Sequence, residues 1–385
     1  MSQPASIFDV VYDRTETDSQ KWQKYAGKDI LPMWVADMDF HAPEAVLDAL
    51  HERIDHGVFG YARPEPSCVE AVVEMLDREY GWQIKPEWLV WLPGLVVGIN
   101  VATRAFCSEN ESVLTTTPIY PPFIVGPKFQ KRPVVKAPMA VEGDRYVIDW
   151  DALEKAVQPE TKLFLFCNPH NPCARVFERA ELEKVIEFCE RHDLLCCSDE
   201  IHCELLLDGR KHIPLGSLSE AANKRVFTFI APSKTYNLAG LGCSLAIIPN
   251  DAIRQRFTLA TRGIVAEVNN LGYVACEAAY RYAGKWRDEL QRYLAGNRDL
   301  IRDFVTRELP EIGLYQHEAT YLSWMNVSQL GLKDPVAHFE SHGLGLSDGA
   351  FFDDPTHVRL NFGCPRVTLE EGLRRLKAGV EAARR

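Results

Sequence analysis

No CxxC pair and no Cys/His spacing of the zinc type occurs in the 385 residues. The eleven cysteines are odd in number and fall mostly inside apolar runs, among them Cys189, Cys196, Cys197 and Cys243. The expectation is therefore buried, reduced thiols, with neither a disulfide framework nor a metal site. Positive charge is also in deficit: 54 acidic residues outweigh 43 basic ones, for a formal net charge of −11. That argues against a nucleic-acid partner or an anionic membrane surface, while a local basic pocket for a phosphate stays open. A long apolar stretch near the start is missing as well. Asp9, Asp13, Arg14, Glu16, Asp18 and Lys21 interrupt any signal peptide or spanning helix. A cytoplasmic protein is expected. Repeats, low-complexity tracts and charge blocks are absent, which points to one compact body.

What is present is ordinary globular material, 46% hydrophobic and 25% charged. The length suits two domains, or one with a lobe. Residues 1–40 read as irregular, with a dense apolar-acidic segment LPMWVADMDF. From Pro43 to Gly57 a helical period (Val46, Leu47, Leu50, Ile54) predicts an amphipathic helix, opened by proline and closed by glycine. Short apolar runs follow at Leu89–Leu92, Ser112–Thr115, Lys162–Cys167, Leu194–Ser198, Val226–Ile230 and Cys243–Ile248. Helical stretches such as Arg179–Arg191 lie between them. This alternation predicts an α/β protein with a mostly parallel, doubly wound sheet buried on both faces. Only the turn segment APSKTYNLAGLG separates the last two runs, too little chain for a helical crossover, so the final strand is expected antiparallel. After about residue 285 the pattern changes to long charged helices, then short strands near Tyr321–Asn326 and His357–Phe362. The reading is a large domain over residues 43–284 and a smaller α+β domain built from 1–42 and 285–385.

Three of the strands run directly into polar residues: Asn168-Pro-His-Asn171-Pro, Asp199-Glu-Ile-His202, and Ser233-Lys234. Ligands of open α/β sheets sit at the carboxyl ends of strands, so these groups form a candidate site. A lysine there is partly desolvated, which lowers its pKa as a Schiff-base nucleophile requires, although position alone favours reading Lys234 as a surface loop lysine. Asp199 leaves an apolar strand and needs a cationic or donor partner, or it caps the following turn. Asn168 and Asn171 alternate with prolines, which suggests a rigid, extended loop or a plain turn. Pro93-Gly94 before Leu95 and Val96 suits a strand-to-helix turn whose amides bind phosphate, as any such turn does. Tyr120, in TTTPIYPPF, is either a ring that stacks on a ligand or a core residue. Arg359, in VRLNFG, suits bidentate capture of a carboxylate, or else lies on a solvated strand face.

In this order the residues resemble the pyridoxal-phosphate enzymes of the aspartate-aminotransferase fold, and within them the MalY/PatB group of cysteine–sulfur β-lyases. The resemblance rests on FDxxxxRxxTxSxKW (Phe8 to Trp22), WVADMDF (Trp34 to Phe40), Gly60-Tyr61, PIYPPF, NPHNP, SDEIH, APSKTYNLAGL and VRLNFG, and spans nearly the whole chain. It implies fold type I: a seven-stranded sheet, mostly parallel with one antiparallel strand, plus a smaller domain. The implied cofactor is pyridoxal 5'-phosphate. Lys234 would bond it covalently and move protons, Asp199 would hold its ring nitrogen, and Tyr120 would stack on the ring. Asn171 would contact the ring hydroxyl. His202, standing where aminotransferases usually carry tyrosine, would support the same edge. Ser233, Gly94, Leu95 and Val96 would hold the phosphate, with Tyr61 reaching in from the neighbouring subunit of a homodimer. Arg359, with Ala36 and Asn171, would take the substrate carboxylate. The implied reaction is β-elimination from L-cystathionine or cysteine S-conjugates; an aminotransferase or a cofactor-binding regulator is the alternative. Two positions depart from the pattern. Cys173-Ala174 stands where Thr-Gly is usual, and Tyr236 where phenylalanine is.

Overall fold

The computed structural model of the chain describes residues 6–384; residues 1–5 and 385, the outer ends of the expected smaller domain, lie outside it. The first long helix, α1 (Glu44–His56), starts after Pro43 and ends on Gly57, whose φ of 75° is the left-handed conformation that glycine adopts without cost.

The main sheet has seven strands: β1 (Leu89–Leu92), β2 (Ser112–Thr117), β3 (Val134–Pro138), β4 (Thr161–Cys167), β5 (Leu195–Asp199), β6 (Val226–Ile230) and β7 (Ser244–Ile247). Their spatial order is β1-β7-β6-β5-β4-β2-β3, with β7 antiparallel to both its neighbours and the other pairs parallel. The short connection ahead of β7 thus has the consequence expected of it. Edge strand β3 gives no apolar run, since Val134 and Val135 are half-buried and Lys136 is exposed. Alternate residues of β4 serve opposite faces. Leu163, Leu165 and Cys167 join one apolar cluster, Phe164 and Phe166 another. Helix α2 (Leu95–Phe106) packs closely on the sheet at Gly98, where a Cβ would come within 2.8 Å of the Phe229 ring. Helix α3 (Arg179–Arg191) buries Leu182, Val185, Ile186 and Cys189 on the other face.

Two long helices, α4 (Gly284–Glu308) and α5 (Arg366–Ala383), pack on a four-stranded sheet. Its strands are β8 (Gly313–Leu314), β9 (Leu322–Asn326), β10 (Ser347–Asp348) and β11 (His357–Asn361). Phe8, Met33, Met38 and Phe40 enter the same core as Leu290, Leu322, Leu360 and Leu373. Leu31 and Pro32 also pair in parallel with Leu344 and Gly345. All eleven cysteines are free and buried. Among the described residues no helix is long and apolar enough to cross a membrane.

Candidate active site

Strand register decides which polar groups meet. Cys167 lies beside Asp199, and Asp199 beside Phe229, so β4, β5 and β6 end level with one another. The residues after them open into a cleft of about 820 Å³, closed from the other side by residues 34–36, β10 and Arg359. Lys234, Asp199, His202, Asn171, Tyr120, Ser233, Gly94, Leu95, Val96, Ala36 and Arg359 all line it. Tyr61 does not. It is fully exposed, beside Gly60, Arg63 and Asn270, outside the cleft of its own chain.

Lys234 lies in the turn after β6, where Tyr236 N–H donates to the Pro232 carbonyl (2.9 Å) and Leu238 N–H to that of Ser233 (3.0 Å). Burial, reinforced by the positive charge of Arg359, lowers its pKa to about 8, while Asp37 and Asp199 oppose the fall. Its Nζ donates to the Ala36 carbonyl at 2.6 Å. It is no surface lysine.

Asp199 is 4% exposed, and burial pushes its pKa up to about 7; the Ile201 amide and Lys234 pull it down, and Glu200 pushes it up. Ile201 N–H donates to Oδ1 at 3.1 Å, so the carboxylate does brace the following turn. No ion pair to it exists among the described residues. His202 is buried, its Nδ1 has no hydrogen-bond partner, and burial lowers its pKa to about 3. It is a neutral ring.

Arg359 lies mid-strand in β11 between Trp324 and Ser347, only 4% exposed, so the solvated-face reading fails. Its Nη1 donates to Asn171 Oδ1 (2.9 Å), and its Nη2 to the Trp34 carbonyl (3.1 Å) and Ser347 Oγ (3.3 Å). Its guanidinium rests over the Phe352 ring at 4.7 Å. Among the described residues no carboxylate pairs with it, and its Nε is buried without a partner. A buried cation without a counter-ion needs an anion from outside the chain.

The loop from Asn168 to Arg175 is turned back on itself, not extended. His170 N–H donates to the Arg175 carbonyl (2.7 Å) and Ala174 N–H to the His170 carbonyl (2.8 Å). This buried backbone has to satisfy its own polar groups, and a turn does so where an extended run would not. The turn also places the Asn171 carbonyl to accept from Tyr120 N–H at 3.0 Å. Tyr120 is half-buried on the cleft wall. Gly94 has a φ of 172°, extended backbone that any residue adopts, and a Cβ there would meet nothing within 4 Å. Neither backbone nor neighbours call for glycine, whereas a ligand drawn close to the first amides of α2 would.

Sequence reasoning missed the groups that close the cleft from the small sheet, above all Ser347 and Phe352. Trp34 was visible only as part of a motif, without a role. Ser347 carries no local signal.

A family model described as aminotransferase class I and II matches residues 28–376. The chain belongs to this family. Cystathionine beta-lyase PatB of Bacillus subtilis (strain 168) is 38% identical over 388 residues, 97% of this chain and 99% of that protein. The crystal structure of OvoB matches with a TM-score of 0.95 at 47% identity, covering 97% of this chain and 98% of that one. Cystalysin from Treponema denticola, whose structure contains a pyridoxal 5'-phosphate cofactor, matches with a TM-score of 0.94 at 31% identity, over 97% and 98% of the two chains. The resemblance to the MalY/PatB group read from the motifs is thus a true kinship, and the fold is that of the fold type I aminotransferases.

Within this class I and II member the two departures have physical partners. Tyr236 donates its hydroxyl proton to buried Glu204 at 2.8 Å, and Arg287 donates to the same oxygen at 3.1 Å. Ala174 sits at a φ of 54°, in left-handed space where glycine would be unstrained.

Proposed function

We propose that the chain binds pyridoxal 5'-phosphate in this cleft and cleaves the carbon–sulfur bond of L-cystathionine or cysteine S-conjugates by β-elimination. The products are pyruvate, ammonia and a thiol. What carries the reading is that Lys234, Asp199 and Arg359 meet in one cleft, in a chain 38% identical to PatB over nearly its whole length.

The residues suit the cofactor. A depressed lysine amine, a buried carboxylate without an ion-pair partner, the orphaned Nδ1 of His202 and the open space at Gly94 all await a ligand. When bound, the cofactor supplies an electron sink for the pair released at the substrate Cα. Lys234 would hold it covalently. Asp199 would keep a proton on the ring nitrogen, Asn171 and His202 would face the ring edge, and Tyr120 would cover a ring face. Ser233 and the amides of Leu95 and Val96 would take the phosphate, the latter at the positive end of α2.

Arg359 would clamp the substrate α-carboxylate, with the Asn171 and Trp34 contacts holding its fork in plane. Once the substrate amine has taken its place, the freed Lys234 amine, whose pKa burial in the cleft lowers, would take the Cα proton. The Cβ–S bond then breaks with its electron pair leaving on sulfur, and the three-carbon enamine hydrolyses to pyruvate and ammonia. A homodimer in which Tyr61 reaches the neighbouring cleft belongs to this reading; the full exposure of Tyr61, near the exposed Val58 and Phe59, supports it.

The test mixes cofactor-loaded protein with L-cystathionine, without a keto acid, and follows pyruvate and free thiol. Equal amounts of both are expected. No pyruvate from cystathionine or S-conjugates, with an added keto acid converted to its amino acid, would overturn the lyase reading in favour of an aminotransferase.

A further inference from the structure

The two opening motifs, Phe8 to Trp22 and Trp34 to Phe40, enter the chemistry above only through the Trp34 carbonyl, yet they assemble a largely buried lattice of charge. Lys21 is 1% exposed; its ammonium donates to Asp39 Oδ2 at 2.6 Å and lies 3.7 Å from Asp37 Oδ1. Arg14 donates to Asp39 Oδ1 (2.7 Å), Asp37 Oδ2 (3.0 Å), Ser19 Oγ (2.9 Å) and the Met38 carbonyl (3.1 Å). The Trp22 indole N–H also donates to Asp39, at 3.2 Å. Burial opposes the Asp39 charge, but Lys21, Arg14 and Trp22 together hold its pKa below the ordinary value. Two cations thus neutralise two carboxylates on one short strap, residues 34–40.

Two asparagines grip the same strap from opposite sides. Asn237 accepts from Met38 N–H (3.0 Å) and donates to the Met38 and Phe40 carbonyls (both 2.9 Å). Asn361 donates to the Val35 and Asp37 carbonyls, at 2.5 and 2.6 Å. The carbonyls of Trp34 and Ala36 face the cleft. That of Ala36 accepts from Lys234 Nζ (2.6 Å) and the Tyr321 hydroxyl (3.1 Å); that of Trp34 accepts from Arg359 Nη2 (3.1 Å) and Ser347 Oγ (2.6 Å). One segment therefore touches both the amine and the guanidinium, two residues apart, through neutral acceptors that orient a cation without adding charge.

We propose that Arg14 and Lys21 are positioning residues: by pinning Asp37 and Asp39 they hold the strap so that its carbonyls keep Lys234 and Arg359 in register. The inference rests on the roles given above to Lys234 and Arg359, and holds for any reaction that uses both.

The test compares cofactor-loaded wild type with Lys21→Met, Arg14→Gln and Lys21→Arg. Val380→Ala, in the same core but remote from the strap, serves as a stability control. Hydrogen exchange of peptides covering residues 34–40 is read alongside kcat and KM per bound cofactor. Lys21→Met and Arg14→Gln should exchange the Met38 and Asp39 amides about tenfold faster or more, raise KM about threefold or more, and lower kcat/KM about tenfold or more. Lys21→Arg should recover part of each. Val380→Ala should lose stability while keeping KM and strap exchange. If Lys21→Met does not fold, Arg14→Gln decides, because Lys21 then still faces both carboxylates. Wild-type strap exchange and KM in folded Arg14→Gln, or losses that only track stability as in Val380→Ala, would overturn the proposal. Wild type that releases no pyruvate from any thioether refutes the lyase reading instead and leaves the exchange result standing.

Discussion

Replacing Asp199 by asparagine should stabilise the cofactor-free protein, and more so as pH rises. The carboxylate is 4% exposed and has one amide donor, so burial moves its pKa from 3.8 up to about 7. A folded-state pKa above the unfolded one means the folded protein binds the proton more tightly. That contribution is complete below pH 3.8 and is lost as pH rises through about 7. At about 1.36 kcal/mol per pH unit, the charge costs ~1.6 kcal/mol at pH 5 and ~4 kcal/mol at pH 8. Asparagine keeps an oxygen for the Ile201 amide and carries no charge. Urea unfolding of both apoproteins, followed by tryptophan fluorescence, should therefore show the advantage of Asp199→Asn widening by ~2–3 kcal/mol between pH 5 and pH 8. Loading pyridoxal 5'-phosphate should reverse the order, because only the wild type offers a carboxylate to a protonated ring nitrogen. An advantage that is the same at both pH values would refute the reasoning, since the buried charge would then carry no penalty for a cofactor to relieve.

Arg359→Lys should keep the charge but lose the planar fork. Giving up one charge-assisted bond of ~1.5–3 kcal/mol to the proposed substrate carboxylate should lower kcat/KM by about 10- to 150-fold, and steady-state kinetics with a kcat/KM within twofold of wild type would contradict it. Tyr236→Phe leaves Glu204 buried with Arg287 but without the hydroxyl donor, so urea unfolding should show a loss of ~1.5–3 kcal/mol with activity retained. Ala174→Gly relieves about 1–2 kcal/mol of left-handed strain against a smaller gain in unfolded-chain entropy. A net gain of ~0.5–1 kcal/mol in the same measurement is expected.

Much of this protein could be read along the chain. Strand β6 and helix α3 begin and end where the residue pattern placed them, and Pro43 and Gly57 flank α1 as their backbone preferences require. Such features depend on a few neighbouring residues: an apolar run, a helical period, a restricted or permissive φ. The same local logic exposed Asn171, Asp199 and Lys234, each a polar group just past an apolar strand. Strand β3 escaped because an edge strand is half-solvated and shows no apolar run. For the 168–175 loop the prolines left an extended run and a turn both open, and burial, which one sequence does not display, selected the turn. Ser347 and the Trp34 carbonyl were beyond reach for a further reason. They act on Arg359 only after the small sheet and the N-terminal strap fold over the strand ends. Lys234 meets Ala36 across 198 residues, and no local pattern encodes that separation. Which side chains are present and which elements they form was decided by short-range propensity. Which charges stand buried without partners, and which carbonyls orient them, was decided only when the two sheets closed on one cleft.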